Sequence, residues 1–229
     1  MIFLWYVSLS VALWSLLYYF LRKVNSLRSA EWNCRIIAMT HALAASRLVE
    51  LSFVLEGNPL YMLGEVNTPL QTVILSMSGG YFVFDFAWSV YMGSEGMMML
   101  AHHVVSILAL VGGLFLHQSG SEICLTLWGS ELTNPFLQCR WFLRETNQYN
   151  SYFAAFNDLV FFGIFTCARI GIGTGLAICF YLSEKTVVLM KCGGLFFFAI
   201  SIIWTWQIGK FVKRRYFSDK GFCVLKEKL

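Results

Sequence analysis

Gly96-Met-Met-Met-Leu-Ala-His102-His103-Val-Val-Ser106 places two adjacent histidines inside an apolar segment. One helix later Gly129-Ser-Glu131-Leu-Thr-Asn134-Pro135 places a carboxylate and a helix-breaking proline in similar surroundings. Ionisable groups in hydrocarbon are costly, so they turn toward a bundle interior and mark functional sites by default. These two stretches therefore predict a polar site embedded in a membrane.

The composition around them agrees. Of 229 residues, 58% are hydrophobic and 13% charged, and mean hydropathy is +0.63. A soluble domain carries about 25% charged residues, so too little polar material exists here to cover a water-facing surface. The class is an all-α, multi-pass membrane protein. Seven apolar runs follow in order: 2–21, 34–55, 70–91, 97–117, 122–142, 151–182 and 187–212. The sixth is too long for one span of ~20 residues. Gly171, Gly173 and Gly175 in its second half suggest a kink, a break or a turn outside the membrane. Loops after odd-numbered spans carry Arg22, Lys23, Arg28, Arg140, Arg144 and the basic tail, whereas loops after even-numbered spans carry little besides Lys185. By the positive-inside rule the N-terminus is luminal or extracellular and the C-terminus cytosolic.

The net charge of +4 is gathered at helix ends and in the tail, which speaks for membrane orientation and against a nucleic-acid partner. Seven cysteines form no CxxC pair, and their odd number argues against a full disulfide framework. They read as small buried residues.

With this topology His102 and His103 lie roughly 8 Å into a helix entering from the cytosol, at 1.5 Å per residue. His41 and Asp158 fall at similar depth, Asp85 in the cytosolic half of the third span, and Glu131 near the middle of the fifth. Ser78, Tyr81, Asp85 and Ser89 make one polar stripe on the third span. Glu131, Asn134 and Gln138 do the same on the fifth, where Pro135 cannot donate to the Glu131 carbonyl. Ser106 lies within one turn of both histidines and could orient either ring. Ala109, Gly112 and Gly113 continue that helix with small residues that let a neighbour or an acyl chain approach.

Structural roles compete with functional ones. His41 alone reads as an interhelical hydrogen bonder, and Asp85 or Asp158 could pair with Arg47 or Arg169. Arg47 and Glu50, three apart, read as a local pair. The paired histidines resist such a reading, because neighbouring imidazoles point some 100° apart and packing needs no more than one. Four histidines in the whole chain, two of them divergent neighbours, speak against a zinc or His-rich iron site, which needs converging ligands. No metal or bound cofactor is expected. A Ser-His-Asp triad through Ser106 lacks the GxSxG elbow.

Gly80-Tyr-Phe-x-x-Asp85, His102-His103-x-x-Ser106 and Gly129-Ser-Glu-Leu-Thr-Asn-Pro-Phe136, in that order, resemble the TLC domain, the membrane domain of ceramide synthases and several small lipid-handling proteins. The resemblance implies six helices in a barrel (31–212) around a central pocket, one preceding helix with its loop (1–30), and a basic tail (213–229). It implies membrane lipids as partners, a role in membrane lipid composition, residence in the ER, Golgi or plasma membrane, and a homodimer as one oligomeric option. In the enzymes of that family the paired histidines act in moving an acyl group from acyl-CoA to a sphingoid amine. Here the matching positions are His102 and His103, with Ser106 where the enzymes have threonine and Ser130-Glu131 where they have Ser-Asp. The resemblance thus makes His102, His103, Glu131 and Asp85 the catalytic candidates and acyl-CoA the co-substrate. His41, Tyr81, Ser106, Asn134, Gln138 and Asp158 are the substrate-binding candidates. The enzymes' preceding His-Asp pair is replaced by Leu127, Trp128 and Gly129, which argues against a sphingoid base as acceptor. The alternative is a non-catalytic protein that binds, senses or moves lipid.

Overall fold

Helix follows wherever the apolar runs predict it, and the caps are local. In the computed structural model, which describes residues 2–217, α1 covers Ile2–Val24 and α2 Ala30–Glu56. Ser29 starts α2 by accepting from the Trp32 amide. α3, Pro69–Met92, begins with a capping box in which Thr68 and Gln71 satisfy one another's backbone amides, with proline at the first helical turn. It ends on Gly93 in the left-handed region. α4 is Met97–Leu116.

The fifth run is not one helix. It folds as α5, Gly120–Glu131, and α6, Asn134–Glu145, broken where Pro135 has no N–H to give the Glu131 carbonyl. The two halves still run past α2 in one direction. Trp128 meets Glu50, Glu131 meets His41, and Gln138 meets Arg35, so the pair makes one broken crossing.

The sixth run keeps its helical path through α7, Tyr152–Thr166, a π-helical segment, Cys167–Ile172, and α8, Gly173–Leu182. The glycines thus mark a π segment inside a continuous helix rather than a turn outside the membrane. α9 is Val188–Tyr216. Six helical stretches of 20 to 31 residues are long and apolar enough to cross a membrane; the α5–α6 pair supplies the remaining crossing.

Neighbour contacts close a ring: α2 packs on α3, α3 on α4, α4 on α9, α9 on α7 and α8, α7 on α6, and α5 and α6 on α2. α1 lies outside it against α3 and α2. Ser10 and Trp14 of α1 both donate to the Met77 carbonyl, at 2.9 and 3.2 Å. That approach needs Gly80: a Cβ there would overlap the Ser10 side chain and stand 2.8 Å from the Val11 nitrogen. Gly80→Ala is expected to destabilise the fold by about 1–3 kcal/mol by forcing α1 off α3. Gly129→Ala, which meets open space, serves as control. Equal thermal midpoints for the two purified variants would refute the close approach.

The core of the ring is Ile37, Ile74, Leu75, Leu114 and Cys124, all essentially inaccessible. At one end the connecting loops interlock. Asn67 bonds the Gly113 carbonyl and the Gly120 amide, Glu122 accepts from the Gly64 amide and the Thr186 hydroxyl, both at 2.7 Å, and Lys185 pairs with Glu65. The opposite end carries Arg22, Lys23, Arg35, Arg140, Arg144 and Lys213–Arg215.

Candidate functional site

A cavity of about 280 Å³ lies within the ring toward its basic end. Exposure falls with depth along its wall, from 22% and 25% for the Arg35 and Glu95 side chains to 7% for His103 and 6% for Glu131. The mouth is therefore at Arg35 and Glu95. Glu95 sits in the α3–α4 connection, where burial raises its carboxyl above the usual range and the Arg35 guanidinium opposes the rise.

Of the residues singled out in the sequence, His102, His103, Asp85, Tyr81, Glu131, Asn134 and Gln138 all line this cavity. α4 presents the two imidazoles to different neighbours, as their angular offset predicts. The His103 Nε2 stands 3.6 Å from the Asp85 carboxylate of α3, whose other oxygen accepts from the Cys34 thiol at 3.6 Å. His102 turns toward α9, its ring 5.2 Å from Phe197 and 5.3 Å from Trp204, both edge-on. Among the described residues it has no acidic partner within ion-pair distance, and its buried Nδ1 has no hydrogen-bond partner.

His102 also lines a second, narrower slot, apolar for most of its surface, formed with Ser106, Ala109, Leu127, Phe197 and others. This slot runs toward the interlocked end, reaching Glu122. His102 is thus the histidine common to a polar chamber and an apolar one.

Across the cavity a chain of hydrogen bonds fixes the α5–α6 break. Asn134 donates to Glu131 at 3.0 Å, Gln138 to Asn134 at 2.7 Å, and Arg35 to Gln138 at 3.4 Å. Two residues that share a helical stripe in the sequence, Glu131 and Asn134, in fact sit on either side of the break. The break lets the carboxylate and the amide face one another.

Three expectations are corrected. Ser106 does not orient either imidazole; its hydroxyl donates to the His102 carbonyl one turn back, at 2.8 Å, and it lines the apolar slot. His41 does not reach the cavity. It is fully buried behind the wall, 3.1 Å from the Ser78 hydroxyl, 3.7 Å from Glu131 and stacked on Tyr81 at 3.8 Å between centroids. Its place is to brace Tyr81 and Glu131, both of which do line the cavity.

Asp158 is the third. It faces the seam of α6, α7 and α9, where Tyr149 and Tyr216 each donate to it at 2.7 Å and Arg140 and Arg215 approach to 3.4 and 3.8 Å. Its partners are those arginines rather than Arg47 or Arg169. Burial, with the hydrogen bond to Asp158 adding to it, raises the Tyr149 phenol above its usual range. Arg47 pairs with Glu50 at 2.8 Å, as its spacing predicts.

Reading by residue type gave Arg169 only as an ion-pair partner for Asp85 or Asp158, and passed over Trp204 and Phe197. Arg169 was legible as an ionisable group within an apolar run, by the same criterion that selects His102. The aromatic pair looks like any other packing residue until α9 is placed beside α4. Among the described residues no three histidine, cysteine or carboxylate side chains gather as a metal-ligating set.

The family model of the TLC domain matches residues 3–210, nearly the whole chain. The ring of membrane helices with a histidine-lined interior and this match lead to one statement: the chain belongs to the TLC domain family and is a multi-pass membrane protein of that lipid-related group.

Proposed function

We propose that the cavity and the apolar slot together hold a lipid and that His102 transfers an acyl group to or from it. The observation that carries this reading is the position of His102 at the boundary between the two chambers. A hydrocarbon tail belongs in the slot and a polar head in the cavity, so the carbonyl joining them falls beside the imidazole. The imidazole is held by the edges of Phe82, Phe197 and Trp204, and among the described residues no hydrogen bond occupies its buried Nδ1, which leaves the ring free to meet an acyl carbon.

In this reading a lone pair of His102 attacks an acyl thioester. The C–S bond breaks, and CoA leaves as thiolate. The acyl-imidazole then passes its acyl group to a hydroxyl or amine of a lipid acceptor. His103, polarised by Asp85, takes the acceptor's proton, which ends on the thiolate. The basic residues at the mouth support a cytosolic opening and a luminal N-terminus, on the side where acyl-CoA is found.

The test is direct. Purified protein in lipid nanodiscs, given palmitoyl-CoA and an extracted lipid mixture, is expected to release CoA and yield a new acylated lipid by mass spectrometry. A second reading, lipid binding without turnover, is favoured by Leu127, Trp128 and Gly129 standing where the family's enzymes carry a His-Asp pair. Under that reading a lipid co-purifies and no CoA is released. Neither turnover nor bound lipid would remove both.

A further inference from the structure

Among the described residues Arg169 is the cation lining the cavity that forms no ion pair; Glu131 is the anion it senses, from beyond pairing distance. Arg35 is paired with Glu31 and Glu95, and Arg140 with Asp158. Arg169 has no carboxylate within 4.0 Å among the described residues. Its contacts are a long bond from one terminal nitrogen to the Ser201 hydroxyl, 3.4 Å, and the face of Phe165, 5.4 Å from the guanidinium carbon. Its Nε is buried without any partner. Glu131, which shares the cavity, is already bonded to Asn134 and lies near His41. A guanidinium carries five donors and cannot shed its charge, so leaving most of them unmet in a low-dielectric wall is costly.

The backbone is built to put it there. Arg169 lies in the π-helical segment Cys167–Ile172, a distortion of α-helices that is frequent at functional sites. Its neighbours on α9 place it close to the chemistry. Phe197, Ser201 and Trp204 occupy one face of α9 at intervals of four and three; the first and last touch the His102 ring and the middle one touches Arg169. An anion on Arg169 therefore sits within about one helical turn of His102.

We infer that the lipid of this site carries an oxyanion head, a phosphate ester or a carboxylate, received by Arg169 through two parallel N–H bonds. This rests on the reading of the cavity as a lipid site and adds the class of lipid. A neutral glyceride offers the guanidinium no counter-charge, whereas an anionic head supplies both the charge and a matched pair of acceptors.

The experiment compares three lipids with the same palmitoyl chain, binding to purified protein in neutral nanodiscs: 1-palmitoyl lysophosphatidate, palmitate and 1-monopalmitoylglycerol. Wild type is expected to bind one or both anionic lipids about tenfold or more tightly than the glyceride; which one identifies the head. Arg169→Gln is expected to bring them to the glyceride level while leaving glyceride binding unchanged. Arg169→Lys, which keeps the charge without the fork, is expected to lose most of the margin. Equal binding of all three by wild type, or a margin undiminished in whichever variant folds, overturns the anionic head while leaving a lipid site. Binding of none of them by wild type removes the lipid site along with it.

Discussion

His102→Ala is expected to lower acyl transfer by roughly 10²–10⁴-fold, the range lost with a general base or nucleophile, while co-purified lipid stays bound. The imidazole is held by aromatic edges from Phe82, Phe197 and Trp204 rather than by hydrogen bonds. Its removal therefore leaves no polar group stranded, and the thermal midpoint should move far less than turnover. His103→Ala is expected to be milder in kcat if His103 serves only as base, and Asp85→Asn milder still, because Asp85 acts through His103 at 3.6 Å. Measured kcat for the three variants should fall in that order. Turnover unchanged in both histidine variants would sink the chemistry. A bound lipid with no turnover even in wild type would leave the binding reading alone.

The second large effect concerns stability. Asp158 is 2% exposed and receives two tyrosine hydroxyls and two guanidinium groups. Tyr149 itself takes bonds from Arg140 and Arg144, and Arg215 caps its carbonyl at 2.6 Å. Asp158→Ala leaves those cations facing one another around a void, and a loss of about 3–5 kcal/mol is expected, as for other half-broken buried ion pairs. Asp158→Asn preserves the shape and one acceptor, so it should recover part of that loss. The check is the thermal midpoint in detergent, with protease accessibility of the α6–α7 connection as a local readout. A midpoint shift corresponding to less than about 1 kcal/mol of stability for Asp158→Ala would show that the seam does not depend on this carboxylate.

Much of this architecture is readable from residue order. Span number, helix limits to within a few residues outside the broken fifth run, and the convergence of Asp85, His102, His103 and Glu131 follow from hydropathy, spacing and the cost of charge in hydrocarbon. What escaped is what depends on rotation about a helix axis. Asp158 and His103 have similar predicted depths, yet one faces the seam of α6 and α9 and the other the cavity. Depth is a one-dimensional quantity, and azimuth is set by neighbours distant in the chain. Ser106 escaped for a local reason: a helical serine bonds its own backbone four residues back, so proximity in sequence to a histidine says little about the ring. The π segment carrying Arg169 announced itself only as a cluster of glycines, which told that the helix would be irregular but not in which way.

The knot of loops around Glu122, Gly64 and Thr186 makes the bundle a flask rather than a tube. Along its axis, the proposed lipid site would then open only past Arg35 and Glu95. Under that proposal incoming and outgoing molecules share the axial neck, and a spent product lingering there would be a rival for the next arrival.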